Sequence, residues 1–236
     1  MKKIVSIIAL LTISIFFVAC EEKKTKEEDN NITNIEDNTS VGETALAQNT
    51  KKTGQIISYD EIGRIIITGS LKDDGHYKKG ITPRYTRASD MVTDEITNLM
   101  WQDNSDVNTT TKQWLTDANY NTCASDNSSD ACLDTSGDTA TTFCTDLSLG
   151  GYDDWRLPSV SELGSIVDYS KNIPAIDKEY FKYTSATDDI FEHTWTSSTY
   201  PNPRLYAWRI VFRHAEIEAV PKNWNINVRC VRNSIL

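Results

Sequence analysis

The chain is poor in the residues on which most hydrolases and metalloenzymes depend. It holds three histidines, His76, His193 and His214, and they are scattered. It contains no H-E-x-x-H, no G-x-S-x-G, no phosphate-binding P-loop and no G-x-G-x-x-G. No cysteine pair has the C-x₂₋₄-C spacing of a zinc site. Neither a catalytic centre nor a bound metal or cofactor is therefore expected. Positive charge is also short: 24 Lys and Arg stand against 34 Asp and Glu. Residues 53–236 alone hold 17 against 26, a net of −9. Affinity for nucleic acid comes largely from neutralising phosphates, so nucleic acid is excluded as a partner. Sulfated polysaccharides are disfavoured for the same reason, unless a local basic patch exists. Finally, no apolar run reaches the roughly 20 residues a spanning helix needs.

The longest such run, Ile4 to Ala19, follows Lys2 and Lys3. A basic start before a short apolar segment is the pattern of an export signal, assigned here to residues 1–19. It ends in Phe17-Val18-Ala19-Cys20, which resembles a lipobox with phenylalanine in place of leucine. The expectation is cleavage before Cys20 and acylation of that cysteine, which would attach the chain to membrane lipid. Glu21 rather than Asp in the next position favours the outer membrane or cell surface over the inner membrane. Residues 20–52 are charged, rich in Asn and Thr, and lack any aromatic residue. Such a segment cannot bury enough apolar surface to order itself and reads as a tether. As a coil its reach is roughly 30 Å. All six tryptophans and all ten tyrosines lie beyond it, so residues 53–236 form the folded domain.

Four cysteines remain: Cys123, Cys132, Cys144 and Cys230. An even number in an exported chain points to disulfides, and four allow three pairings. Cys123 and Cys132 flank the polar segment ASDNSSDA, which a local bridge would staple. Cys144 and Cys230 would then tie the middle of the domain to its last strand.

The runs QIISY and RIIIT read as short strands, and MVTDEITNLMWQD as a hairpin bending between Asp94 and Asn98. Thr139 to Leu147 has helical spacing, with Asp138 as its N-cap and Gly150-Gly151 as its end. Ser159 and Glu162 form a capping box that starts a second helix carrying Leu163, Ile166 and Val167. YAWRIVF alternates, with Trp208, Ile210 and Phe212 on one face and Ala207, Arg209 and Arg213 on the other. In NWNINVRCV, Trp224, Ile226, Val228 and Cys230 share a face. Helices followed by antiparallel strands give an α+β class.

An ordered set of motifs then emerges: Thr93-Asp94 with Thr97-Asn98-Leu99-Met100-Trp101; Gly150 through Pro158, reading GGYDDWRLP; Pro174-Ala175-Ile176-Asp177; Trp195 through Tyr200; Ala207-Trp208; and Val228 through Arg232. This set resembles the Lcl C-terminal-domain family, named for a bacterial collagen-like adhesin, from Thr53 to Arg232. The resemblance implies a C-type-lectin-like domain, two helices packed on twisted antiparallel sheet, related to formylglycine-generating enzymes, with a helix cysteine bridged to the last strand. The family's usual glycine is Asn98 here, a residue tolerant of positive φ. The stretch 116–138 is an insertion. The adhesin's association with sulfated glycosaminoglycans is not expected to transfer to so acidic a domain.

Three groups of residues look functional. Asp153 or Asp154 near Arg156 could be a base and an anion clamp. The family pattern instead makes Asp154, Trp155, Arg156 and Pro158 a structural corner, with Asp153 or Asp154 holding Arg156 or a turn amide. The acids of DNSD at Asp103 and DTSGD at Asp134 could ligate calcium but fit no EF-hand spacing, and read as loop acids. On the last strands, Tyr206, Arg209, Arg213, His214, Glu216, Asn223, Trp224 and Asn225 could form a ligand face or an ordinary polar strand face. The resulting expectation is a lipid-anchored, non-enzymatic cell-envelope module that recognises a glycan or surface protein. A periplasm-facing structural lipoprotein without external ligand is the alternative. Oligomeric state is not legible.

Overall fold

The computed structural model describes residues 50–60, 62, 64–66, 73–126, 130–184 and 193–234. The export signal, Cys20 and the tether up to residue 49 lie outside the described residues. Among those described, no helix is long and apolar enough to cross a membrane.

The domain is α+β, with short helices against three sheets. Strands β1 (Ser58–Tyr59) and β2 (Ile65–Ile66) pair as an antiparallel ribbon, and α1 (Asp74–Tyr77) follows. A four-stranded sheet has the order β11-β5-β4-β3, from β3 (Tyr85–Ala88), β4 (Met91–Asp94), β5 (Leu99–Gln102) and β11 (Val231–Asn233). All its pairs are antiparallel. A short helix, α2 (Asp106–Thr109), leads to β6 (Thr111–Lys112). A five-stranded sheet then runs β6-β10-β7-β8-β9, from β7 (His193–Thr199), β8 (Tyr206–Val211), β9 (Glu216–Pro221) and β10 (Ile226–Asn227). Its β10–β7 pair is parallel; the others are antiparallel.

The hairpin expected at 91–101 is present as β4 and β5, in register Asp94 to Leu99. Asn98 takes φ 56, the left-handed conformation that asparagine tolerates better than most residues. Asp94, at the end of β4, is fully buried. It accepts the amides of Ile96 and Thr97, and its other oxygen receives the ammonium of Lys51 at 2.6 Å. Lys51, assigned from sequence to the tether, also bonds the Ser165 carbonyl, so the folded part reaches back to Thr50.

The first core helix is α4 (Ala140–Thr145). Thr139 caps it, not Asp138: the Thr139 and Thr142 side chains exchange bonds with each other's backbone amides, while Asp138 pairs with Lys112. Gly150 and Gly151 do not end this helix, which stops at Thr145. Their φ values of 67 and 83 make a two-residue reverse turn, closed by Leu149 and Tyr152 exchanging backbone bonds of 3.0 and 3.1 Å. The Ser159–Glu162 capping box forms as expected at the start of α5 (Val160–Gly164).

Two cores lie against the long sheet. One gathers Val92, Trp101, Leu163, Ile166, Phe181, Ile210 and Phe212. The other gathers Trp114, Leu115, Trp155, Trp195, Ala207, Val228 and the Cys144–Cys230 bridge. Strand β8 sits between β7 and β9 and is covered on both sides. Its second face is therefore not the solvent-facing one that alternation suggests: Arg209 is 7% exposed. The insertion is ordered where described. Helix α3 (Asp117–Ser125), capped by Thr116, and a single turn at Asp130–Cys132 are stapled by the Cys123–Cys132 disulfide. Both cysteine pairs are thus those read from the sequence.

Candidate functional site

The motif around Trp155 is a corner. Trp155 is 2% exposed, and Pro158 is buried, its carbonyl receiving the Ser197 amide. The charges, however, are paired differently from the expectation. Arg156 does not meet Asp153 or Asp154. It forms a two-pronged pair with Glu162 at 2.9 and 2.5 Å, and its backbone bridges to Val231 in both directions. Arg156, with the Ser159 amide, pulls the Glu162 carboxyl down to about 2. Asp154 instead receives Arg232 at 2.5 Å, which also lies over the Tyr152 ring. Asp154 and Glu162 are thus each held by an arginine, while Asp153 is exposed to solvent.

Asp103 is spoken for in the same way. Its carboxylate accepts from Arg229 at 2.9 Å, from Arg87, and from the amides of Lys182 and Tyr183. Asp134 accepts the Ser136 amide, and the Ser136 side chain first and its amide second lower the carboxyl.

The eight residues proposed for the ligand face do not form one patch. In the β8–β9 register, Tyr206 lies opposite Pro221 and Val211 opposite Glu216. Arg213, His214 and Glu216 therefore sit at the hairpin end, and Tyr206, Asn223, Trp224 and Asn225 at the other. Seven strand positions separate Tyr206 from Arg213, about 23 Å at 3.3 Å each.

One member bridges part of that distance. Arg209, mid-strand in β8, lies opposite Trp195 on one side and Glu218 on the other. Its Nη2 donates to Glu218 Oε2 at 2.7 Å. The guanidinium lies 5.5 Å from the centre of the Trp224 ring. Trp224 is 48% exposed while Trp101, Trp114, Trp155 and Trp195 are at most 4% exposed. Its position is fixed by a turn in which its amide donates to the Pro221 carbonyl, and the adjacent Asn223 carbonyl accepts from Gln113. The result is a rigidly backed indole face, presented to solvent above an ion pair that is neutral overall. His193, across β7, is held below its ordinary pKa by burial first and by Arg209 second, so it adds no charge here near neutral pH. Glu218 was missed from sequence; its place opposite Arg209 depends on hairpin register, which alternation alone does not give.

No curated protein and no solved structure matches the chain. The family model described as the Lcl C-terminal domain matches residues 90–232, beginning later than the resemblance that runs from Thr53. That span runs from just before β4 into β11 and takes in both core disulfide partners, the Trp155 corner and the Arg209–Trp224 contact: the chain belongs to the Lcl C-terminal domain family.

Proposed function

We propose that this is an exported, lipid-anchored binding module of lectin-like fold, displayed on the cell envelope, that recognises a glycan through the Trp224 end of its long sheet. The observation that carries the reading is the half-exposed Trp224 ring stacked above Arg209, itself neutralised by Glu218. An aromatic face flanked by the Asn223 and Asn225 side-chain amides suits the apolar face and hydroxyl rim of a sugar ring. The domain's net charge of −9 argues for a neutral glycan rather than a sulfated one. The reading is non-catalytic. All four domain cysteines are bridged, and Asp154 and Glu162 at the sheet corner are paired with arginines. The lipobox-like end at Cys20 and the acidic tether support attachment and display.

The test is retention of the full-length chain on immobilised neutral oligosaccharides, with protease shaving of intact cells alongside. Retention that depends on Trp224, together with cleavage of the domain from cells, supports the reading. A domain protected from protease, with no sugar retained, points instead to a periplasm-facing structural lipoprotein.

A further inference from the structure

Among its described residues the insertion 116–138 adds no strand to any of the three sheets, yet two of its points are fixed to consecutive residues of one loop. Lys222 is 1% exposed, and its ammonium donates to the Cys132 carbonyl at 2.6 Å. Gln113 donates from one amide nitrogen both to Asp117, at the start of α3, and to the Asn223 carbonyl, each at 3.0 Å. Lys222 and Asn223 immediately precede Trp224.

The lysine is an expensive way to make this contact. Its neighbours are a carbonyl oxygen and, at 4.3 Å, the face of Trp114, with no carboxylate among the described residues. A buried ammonium without a counter-charge costs stability. An apolar side chain would serve packing better, so the side chain's effect is positional. Its own carbonyl takes the Trp114 and Leu115 amides, and its amide donates to the Leu205 carbonyl. Lys222 therefore ties the disulfide-stapled insertion, the Trp114 segment and the start of β8 to one point. Helix α3 also carries Tyr120, half-buried against the Trp195 core. Burial raises its phenol, and Tyr206 adds to the rise.

We infer that the Cys123–Cys132-stapled insertion is a positioning element for the Trp224 loop, holding its indole in place to receive a neutral oligosaccharide. The ligand class rests on the binding reading above; the positioning does not.

The experiment uses the full-length chain, a Cys123→Ser/Cys132→Ser double variant and Lys222→Met, with Trp224→Phe to identify the Trp224 signal and Trp224→Ala to test sugar binding. Acrylamide quenching reads the accessible tryptophan, and an array of neutral gluco-, manno- and galacto-oligosaccharides reads binding. Mass mapping of the Cys144–Cys230 bridge and near-ultraviolet circular dichroism confirm that each variant is folded. The inference gives a change of about twofold or more in quenching of the Trp224-dependent fraction, as expected of a locally released segment. It also gives weakened binding or a reordered sugar preference in both variants. Unchanged quenching in both folded variants overturns it. So does sugar binding that is lost with Trp224→Ala but unchanged in both insertion variants, a result that leaves the binding reading standing. If the unaltered chain retains no sugar while quenching changes, the binding reading falls and the positioning holds.

Discussion

Arg229 donates to Asp103 at 2.9 Å, and neither side chain is exposed at all. Asp103 is also held by Arg87 and by two backbone amides, and Arg229 reaches the Thr184 hydroxyl at 2.6 Å. The network joins the end of β5, strand β3, the 180–184 segment and the approach to β11. Asp103→Ala removes the buried carboxylate that Arg229 and Arg87 share. It should cost about 3–5 kcal/mol in urea unfolding. A loss below about 1 kcal/mol, the range of exposed pairs, would contradict the network's role.

The Arg156–Glu162 pair makes stability depend on acid. The Glu162 carboxyl is held at about 2 in the fold, against an ordinary 4.5, by Arg156 first. A depressed carboxyl contributes stability that is fully present above pH 4.5 and lost as pH falls towards 2. Glu162→Gln should therefore lower stability at pH 7 and flatten its decline between those two values. Denaturant titrations of both proteins at pH 7 and pH 3 measure this. Equal acid dependence would rule the pair out as its source.

Lys222 has the opposite signature. Burial lowers its ammonium from 10.5 to about 8, with Arg204 adding to the effect. Between those values the unfolded chain binds more protons than the fold, so stability rises with pH. The shift corresponds to a penalty on the order of 3 kcal/mol, present below pH 8 and relieved towards pH 10.5. Lys222→Met removes that rise. The difference in unfolding free energy between the two proteins, followed from pH 7 to pH 10, should change steadily in favour of the lysine form. A constant difference would show the ammonium to be solvated.

The two disulfides should differ in worth. Cys144–Cys230 closes 86 residues and Cys123–Cys132 only nine. In the chain-entropy view these contribute about 4–5 and about 2.5 kcal/mol. Paired serine substitutions followed by thermal unfolding should rank them in that order.

Local chemistry was legible in the sequence. The Ser159–Glu162 box, the Asn98 turn and the helix at Ala140–Thr145 each depend on residues within a few positions of one another. The cysteines were legible because few pairings exist. The errors come where several signals compete locally or where partners are distant. Asp138 and Thr139 are both good caps, and Lys112, far off in sequence, takes the aspartate. Asp154 looked like a partner for Arg156 because they are neighbours, but the reach of Arg232 from β11 decides the pairing. Arg209 read as a candidate surface residue from alternation, and Arg229 and Lys222 drew no reading of burial. All three are buried because both faces of their strands or turns are covered, and a period of two cannot report that.

The most direct measurement is the affinity of the unaltered chain, Trp224→Ala and Arg213→Ala for the same neutral oligosaccharide. Trp224 and Arg213 were grouped in one face by sequence but stand at opposite ends of the β8–β9 hairpin. A scaffold that binds at its Trp224 end gives at least about a tenfold loss for Trp224→Ala, or roughly 1.4 kcal/mol. Arg213→Ala then leaves affinity within about twofold. Equal losses in both variants, or a loss confined to Arg213→Ala, would contradict it.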